Sequence, residues 1–167
     1  METDTMTGFS DSYLGKLRAV VGARLLLMPG ARVIIENAKG EILLQRRSDF
    51  DVWGLPGGNA EEGEDLESVV RREVAEEVGL VVDDLHPYGF ASDPQHETIT
   101  FPNGHQCQYF VLMFHTRTYS GQARVSDDES TDVGWFRPDD LPTMLPNMAR
   151  SVDAYLRYVA TGDFQSI

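Results

Sequence analysis

Cysteine is almost missing from this chain. Cys107 is the only one, so no internal disulfide can form, and the simple expectation is a reducing, cytoplasmic setting. Basic residues are also scarce, 14 against 27 acidic side chains, for a formal net charge of -13. A broad nucleic-acid-binding face needs a basic footprint, so that class of partner is excluded. A small anionic substrate is not, because a bound cation inverts the local charge. Long apolar runs are absent too. The stretch at residues 20–28 is short and interrupted by Arg24, and Met1 to Thr7 carry no basic residue. Neither a signal peptide nor a membrane span is expected, and no membrane partner. Low-complexity tracts and internal repeats are lacking as well.

What remains has the makeup of an ordinary globular domain, with 41% hydrophobic and 10% aromatic residues over 167 positions. Ser10 or Asp11 is placed to cap a short helix running to about Val20, with Tyr13, Leu14 and Leu17 on one side. Pro29 and Gly30 read as punctuation. Residues 31–36 and 41–46 read as the two strands of a hairpin around a turn at 37–40. A helix is expected over 66–78, stopped by Gly79. Strand-like segments follow at 81–91 and 107–117, the second preceded by the turn signal Pro102-Asn103-Gly104. A short strand at 132–136, a helical turn opened by Pro138, Asp139 and Asp140, and a helix at 149–159 complete the chain. Strands interleaved with few helices imply a mixed sheet covered by helices, α/β or α+β.

The central helix carries the chemistry. At about 100° per residue, Val70, Val74 and Val78 form one stripe, while Glu73, Glu76 and Glu77 fall on a neighbouring face. The plain alternative is a solvated acidic face. Two features oppose it. The acids lie near the helix C-terminus, the wrong end for the macrodipole. They also follow a Pro-Gly-Gly loop that lets backbone carbonyls approach a ligand. Three carboxylates within a turn repel one another unless a cation sits between them, and a hard divalent ion such as Mg²⁺ takes oxygen ligands and bridges to phosphates.

Gly58, five residues, Glu64, seven residues, then Arg72-Glu73-Val74-Ala75-Glu76-Glu77-Val78-Gly79-Leu80 matches the Nudix box at every fixed position. The 44–47 strand and the 53–57 approach also resemble the usual Nudix context. The chain therefore resembles a MutT-like Nudix hydrolase. That resemblance implies an α/β/α sandwich with a mixed sheet, formed by residues 31–167, on which residues 1–30 pack as an extension. It also implies Mg²⁺- or Mn²⁺-dependent cleavage of a nucleoside diphosphate linked to another group. By position, Glu73 and Glu77 would be the main metal ligands, Glu76 a further one partly through water, and the Gly58 carbonyl a ligand from the loop. Arg72 would hold a glutamate in place and Glu64 would brace the loop. The catalytic base in this family is either a box glutamate, here Glu73 or Glu76, or an acid from a later loop, here Glu129 in Asp127-Asp128-Glu129. A non-catalytic nucleotide-binding or regulatory module is the alternative. It carries little weight because no box acid is missing.

On the substrate side, Arg46 and Arg47 alternate along a strand, so at most one of them points inward, where it could hold a phosphate; a surface arginine is the alternative for each. Phe50, Trp53 and Phe90 are candidates to stack on a base or sugar, with Phe90 the preferred one and Trp53 better suited to the core. His96, His105 and His115 show no metal-ligand spacing, and Cys107 reads as a small buried hydrophobe. Pro94 is a thin marker of ADP-ribose-cleaving members. The segment before Ala31 either caps the sheet or forms a homodimer contact.

Overall fold

The computed structural model describes residues 9–167. The first eight residues of the expected N-terminal extension lie outside the described residues. In chain order the elements are a 3₁₀ turn (Phe9–Asp11), α1 (Tyr13–Val21), β1 (Leu26–Ile35), β2 (Ile42–Arg47), β3 (Trp53–Gly54), β4 (Gly57–Asn59) and α2 (Leu66–Val78). There follow β5 (Val81–Asp83), β6 (His86–Ala91), α3 (Pro94–Glu97), β7 (Thr98–Thr100), β8 (Gln106–Thr116), β9 (Thr118–Ser120), β10 (Ser130–Phe136), α4 (Pro146–Thr161) and β11 (Gln165–Ser166).

The main sheet is mixed, in the order β11-β6-β8-β1-β4, with β7 added to β8. β1 runs parallel to β8 over its whole length and antiparallel to β4. A second sheet, β10-β2-β3, is antiparallel, and β5 pairs with β9. Alternation along β1 sends Ala31, Val33 and Ile35 to one face and Ile34 to the other. The first face packs against Val70, Val74 and Val78 of α2, and the second against Val152, Ala154 and Tyr155 of α4. Two helical layers on opposite faces of the strands make the α/β/α sandwich. α2 forms where it does because Asp65 caps it, accepting a 2.8 Å hydrogen bond from the Ser68 N–H, and it ends at Gly79 in a left-handed conformation. α1 lays Tyr13, Leu14 and Leu17 on Leu26, Met28 and Cys107.

Several expectations are corrected. β1 begins at Leu26 and runs straight through Pro29 and Gly30, so a boundary between residues 30 and 31 would cut a strand. Pro29 is tolerated because β4 pairing starts only at Gly30, which leaves β1 an edge beside the proline, whose carbonyl accepts from Ala60 N–H at 3.1 Å. Residues 31–36 and 41–46 do not form a hairpin ladder. Their strands join different sheets and share only the Glu36–Ile42 bridge. The cap of α1 is Ser12, not Ser10 or Asp11. The segment 81–91 breaks at Asp84, whose φ is 46°, into β5 and β6 of separate sheets. Residues 138–140 make a turn without becoming a helix, and α4 starts at Pro146, three residues before the expected start. A proline at the first helical position, where no N–H is needed, explains that start.

Behind β4 lies a fully buried ion pair. Arg32 of β1 donates to Glu97 of α3 at 2.7 and 3.1 Å and to Ser151 Oγ of α4 at 2.9 Å, and Asn147 adds a 3.3 Å bond to Glu97. The pair ties three elements together, and removing one partner strands the other charge in a dry interior. Arg32→Ala should therefore lower unfolding free energy by about 3–5 kcal/mol in urea titrations, whereas the volume-matched Arg32→Met/Glu97→Leu pair should recover most of the loss.

Candidate active site

The C-terminal half of α2 lies against β4, and the contact is close because the first two residues of that strand, Gly57 and Gly58, are glycine. A Cβ on Gly58 would stand 2.2 Å from Glu73 Oε1, so only hydrogen fits beneath that carboxylate. One on Gly30 would stand 2.7 Å from the Gly58 carbonyl oxygen. Gly57 N–H donates to Glu77 Oε2 at 3.1 Å. The two glutamates thus converge on the Gly57–Gly58 backbone.

Their electrostatics follow from that crowding. Glu77 is 2% exposed, and burial raises its carboxyl well above the usual range, with the charge of Glu73 adding to the effect. Gln45, the Gly57 N–H and Arg47 oppose the rise. Glu73 is pushed up to about 7, first by burial, then by the nearby charges of Glu76 and Glu129, against the pull of Arg72. Arg72 is the fixed cation of the cluster. It forks onto Glu64 at 2.6 and 2.9 Å, reaches Glu73 Oε1 at 2.8 Å and Glu76 Oε2 at 3.3 Å, and donates to the Asn59 carbonyl at 3.1 Å. The fork holds the Glu64 carboxyl below its ordinary range.

Tertiary structure adds residues distant in sequence. β10 pairs with β2, setting Ser130 opposite Arg47, and Ser48 N–H binds the Glu129 carbonyl at 2.8 Å. The later loop is thereby carried to the box, close enough that Glu129 and Glu73 feel each other's charge. Burial pushes the Glu129 carboxyl up, and Asp127, Asp49 and Glu76 add to it, while Arg47 works against it. Of the arginine pair, Arg47 is the inward one. It faces Glu77 and Glu129 electrostatically, pairs with Asp49 at 2.7 Å and lies 5.8 Å from the Phe50 ring centre. Arg46 turns away to Asp51 at 2.9 Å and is 42% exposed, so the structure does not bring it to the site.

Phe90 is not brought there either. Its strand β6 is separated from β4 by β8 and β1, roughly 14 Å at the usual strand spacing. Trp53 packs edge-on against Phe136 at 4.8 Å within the core. His115 sits among Tyr88, Tyr155 and Tyr158, away from the box. Gln45 was missed from the sequence. It is buried, bonds to Ser130 Oγ and faces Glu77, and the only signal available was a polar residue at an inward strand position.

Among the described residues no three His, Cys, Asp or Glu side chains stand as a ready-made metal cage. The donor set nevertheless suits a hard divalent ion. Glu73 and Glu77 are short of positive charge, both lie against the Gly57–Gly58 backbone, and Glu76 shares Arg72 with Glu73.

Comparison with known proteins agrees with this geometry. The NUDIX domain family model matches residues 26–157. The chain belongs to the Nudix family. This MutT-like Nudix hydrolase is 33% identical over 127 residues to a putative 8-oxo-dGTP diphosphatase of Bacillus subtilis, covering 75% of this chain and 78% of that protein. It is 28% identical over 114 residues to the nucleoside triphosphatase NudI of Escherichia coli, covering 65% of this chain and 80% of that one. Among solved structures it resembles a MutT NUDIX hydrolase from Burkholderia pseudomallei, with a TM-score of 0.65 and 27% identity over 77% of this chain and 97% of the other. The chain is thus an enzyme of a hydrolase family that generally uses divalent metals. No helix among the described residues is long and apolar enough to cross a membrane.

The raised carboxyls fix a pH dependence. Glu73 holds its proton more tightly folded than unfolded, so its contribution to stability is complete below about 4.5 and is lost as pH rises through about 7. In excess chelator the Glu73 contribution to the melting temperature should fall between about pH 4.5 and about pH 7, and Glu73→Gln should flatten that fall in a thermal-shift series.

Proposed function

We propose that this Nudix hydrolase is a divalent-cation-dependent pyrophosphohydrolase of nucleoside diphosphate derivatives, with nucleoside triphosphates as its foremost substrates. The observation that carries the reading is the convergence of Glu73 and Glu77 on the Gly57–Gly58 backbone with more negative charge than Arg72 and Arg47 offset. The names of the Bacillus subtilis and Escherichia coli relatives support a triphosphate over other diphosphate linkages. A complete set of box acids argues against a catalytically silent module.

Glu73, Glu77, the Gly58 carbonyl and Glu76 would hold a Mg²⁺ or Mn²⁺ ion, which when bound would neutralise charge on the phosphate oxygens and acidify water. The chain's own groups do the remainder. Arg47, already facing the carboxylates, binds a phosphate oxygen once Asp49 yields. Arg72 keeps Glu73 against Gly58. Glu129 takes the proton from the attacking water. Among the described residues its carboxylate accepts no side-chain hydrogen bond, unlike Glu73 and Glu76, which Arg72 engages. Its raised carboxyl makes it a better proton acceptor than an ordinary glutamate.

Two measurements test this. In a panel of normal and oxidised nucleoside triphosphates, ADP-ribose, NADH and dinucleoside polyphosphates, triphosphates should turn over fastest, with activity abolished by EDTA and restored by Mg²⁺. Persistence of full activity in excess EDTA would overturn the metal dependence. Glu129→Gln should lower kcat by about 10²–10⁴-fold with little change in KM. If it leaves turnover intact while Glu76→Gln or Glu73→Gln abolishes it, the base lies in the box.

A further inference from the structure

The loop between β4 and α2 is anchored from a direction the box does not account for. Glu64 and Arg72 brace it from within. Glu61 braces it from outside. Its side chain leaves the loop and accepts a 2.9 Å hydrogen bond at Oε2 from the backbone N–H of Tyr13, the first residue of α1. The first N–H groups of a helix have no partner within it, and the helix dipole favours an anion there, so a carboxylate suits the position. The backbone N–H of Glu61 in turn donates to Glu64 Oε2 at 2.9 Å. Glu64 receives the fork of Arg72, which continues to Glu73. Hydrogen bonds therefore run without a gap from the start of α1, through Glu61, Glu64 and Arg72, to the carboxylate seated on Gly58.

The far end of this chain of contacts is firmly held. Arg18 of α1 is 7% exposed and donates to the carbonyls of Gly22 at 3.1 Å and Gln106 at 2.7 Å, and to that of Arg24. The apolar side of α1 covers Leu26, Met28 and Cys107 of β1 and β8. α1 is thus bolted to the same sheet that carries Gly30, the residue beneath the Gly58 carbonyl. It also precedes residue 26, where the family match begins, whereas Glu64 and Arg72 fall inside that match.

We infer that α1 belongs to the active-site scaffold of this chain, and that Glu61 is a positioning residue that holds the 57–64 loop, and through Glu64 and Arg72 the Glu73 carboxylate, in register for the cation. The inference rests on the reading of Glu73 and Gly58 as cation ligands. Residues one step behind metal ligands commonly change affinity 10–100-fold, and Glu61 stands further back, so an effect of about three- to tenfold is expected.

The test uses the full chain and three substitutions. Glu61→Ala removes the acceptor. Tyr13→Pro removes only the donor N–H and the ring, since proline is at home at the first helical position and Ser12 is already extended. Tyr13→Ala loses the ring but keeps the N–H, and serves as the packing control. Amide hydrogen exchange over residues 58–64 and Mn²⁺ affinity without nucleotide are measured for each, with kcat and nucleotide KM at saturating Mg²⁺. Glu61→Ala and Tyr13→Pro should both speed exchange in the loop and weaken Mn²⁺ about three- to tenfold relative to Tyr13→Ala, with KM unchanged. Their combination should add little to either alone, as expected for two ends of one contact. Exchange and Mn²⁺ affinity equal to those of Tyr13→Ala would overturn the inference, even if melting temperatures fall. A wild-type chain that binds no Mn²⁺ would instead overturn the proposed function, and the exchange data would still decide whether the tether exists.

Discussion

Two carboxylates pressed into one dry crevice repel each other, and the chain must hold them there by other means. Glu73 and Glu77 are kept against Gly57 and Gly58 by the burial of Val70, Val74 and Val78 on the adjoining face of the same helix. Detaching the helix would relieve the acids but expose the valine stripe, and burial of such side chains is worth roughly 1.5–3 kcal/mol apiece. The apolar face of α2 thus sustains the strain on its acidic face. Arg72 offsets part of the charge and leaves the rest for a cation or a proton.

The rest of the fold is arranged around that crevice. β1 sits between β8 and β4, is buried on both faces from Gly30 to Ile35, and gives β4 a rigid neighbour. Gly30 lets the Gly58 carbonyl approach, so a glycine that looks like turn punctuation in the sequence is a packing requirement inside a strand. The Arg32–Glu97 pair fastens β1 to α3 and α4 from behind. The β2–β10 pairing delivers Arg47 and the Glu129 loop to the same place. α1 closes the scaffold at its outer edge through Glu61.

Legibility from sequence was uneven, and the reasons are physical. The bounds of α2 were readable because capping, the valine period and the glycine stop are all local. The hairpin at 31–46 failed because two adjacent strands can separate into different sheets, which alternation within each strand does not reveal. Arg46 and Arg47 could be assigned to opposite faces but not to inside and outside, since that depends on what packs against each face. Phe90 has the chemistry to stack on a base but lies on β6, with two strands between it and β4, because strand order is a long-range property.

The sequence by itself determined the box, the family resemblance, the layer type and the amphipathic helix that presents the acids. All of these follow from residue type and short spacing. Tertiary structure alone decided which arginine turns inward, that Gln45 faces Glu77, that the β2–β10 pairing carries the 127–129 loop toward the box, that burial drives up the proton affinity of Glu73 and Glu77, and that α1 reaches the loop through Glu61. Each of these depends on groups distant in the chain meeting in the folded protein, and for Glu77 on the exclusion of water as well; neither is written in local spacing.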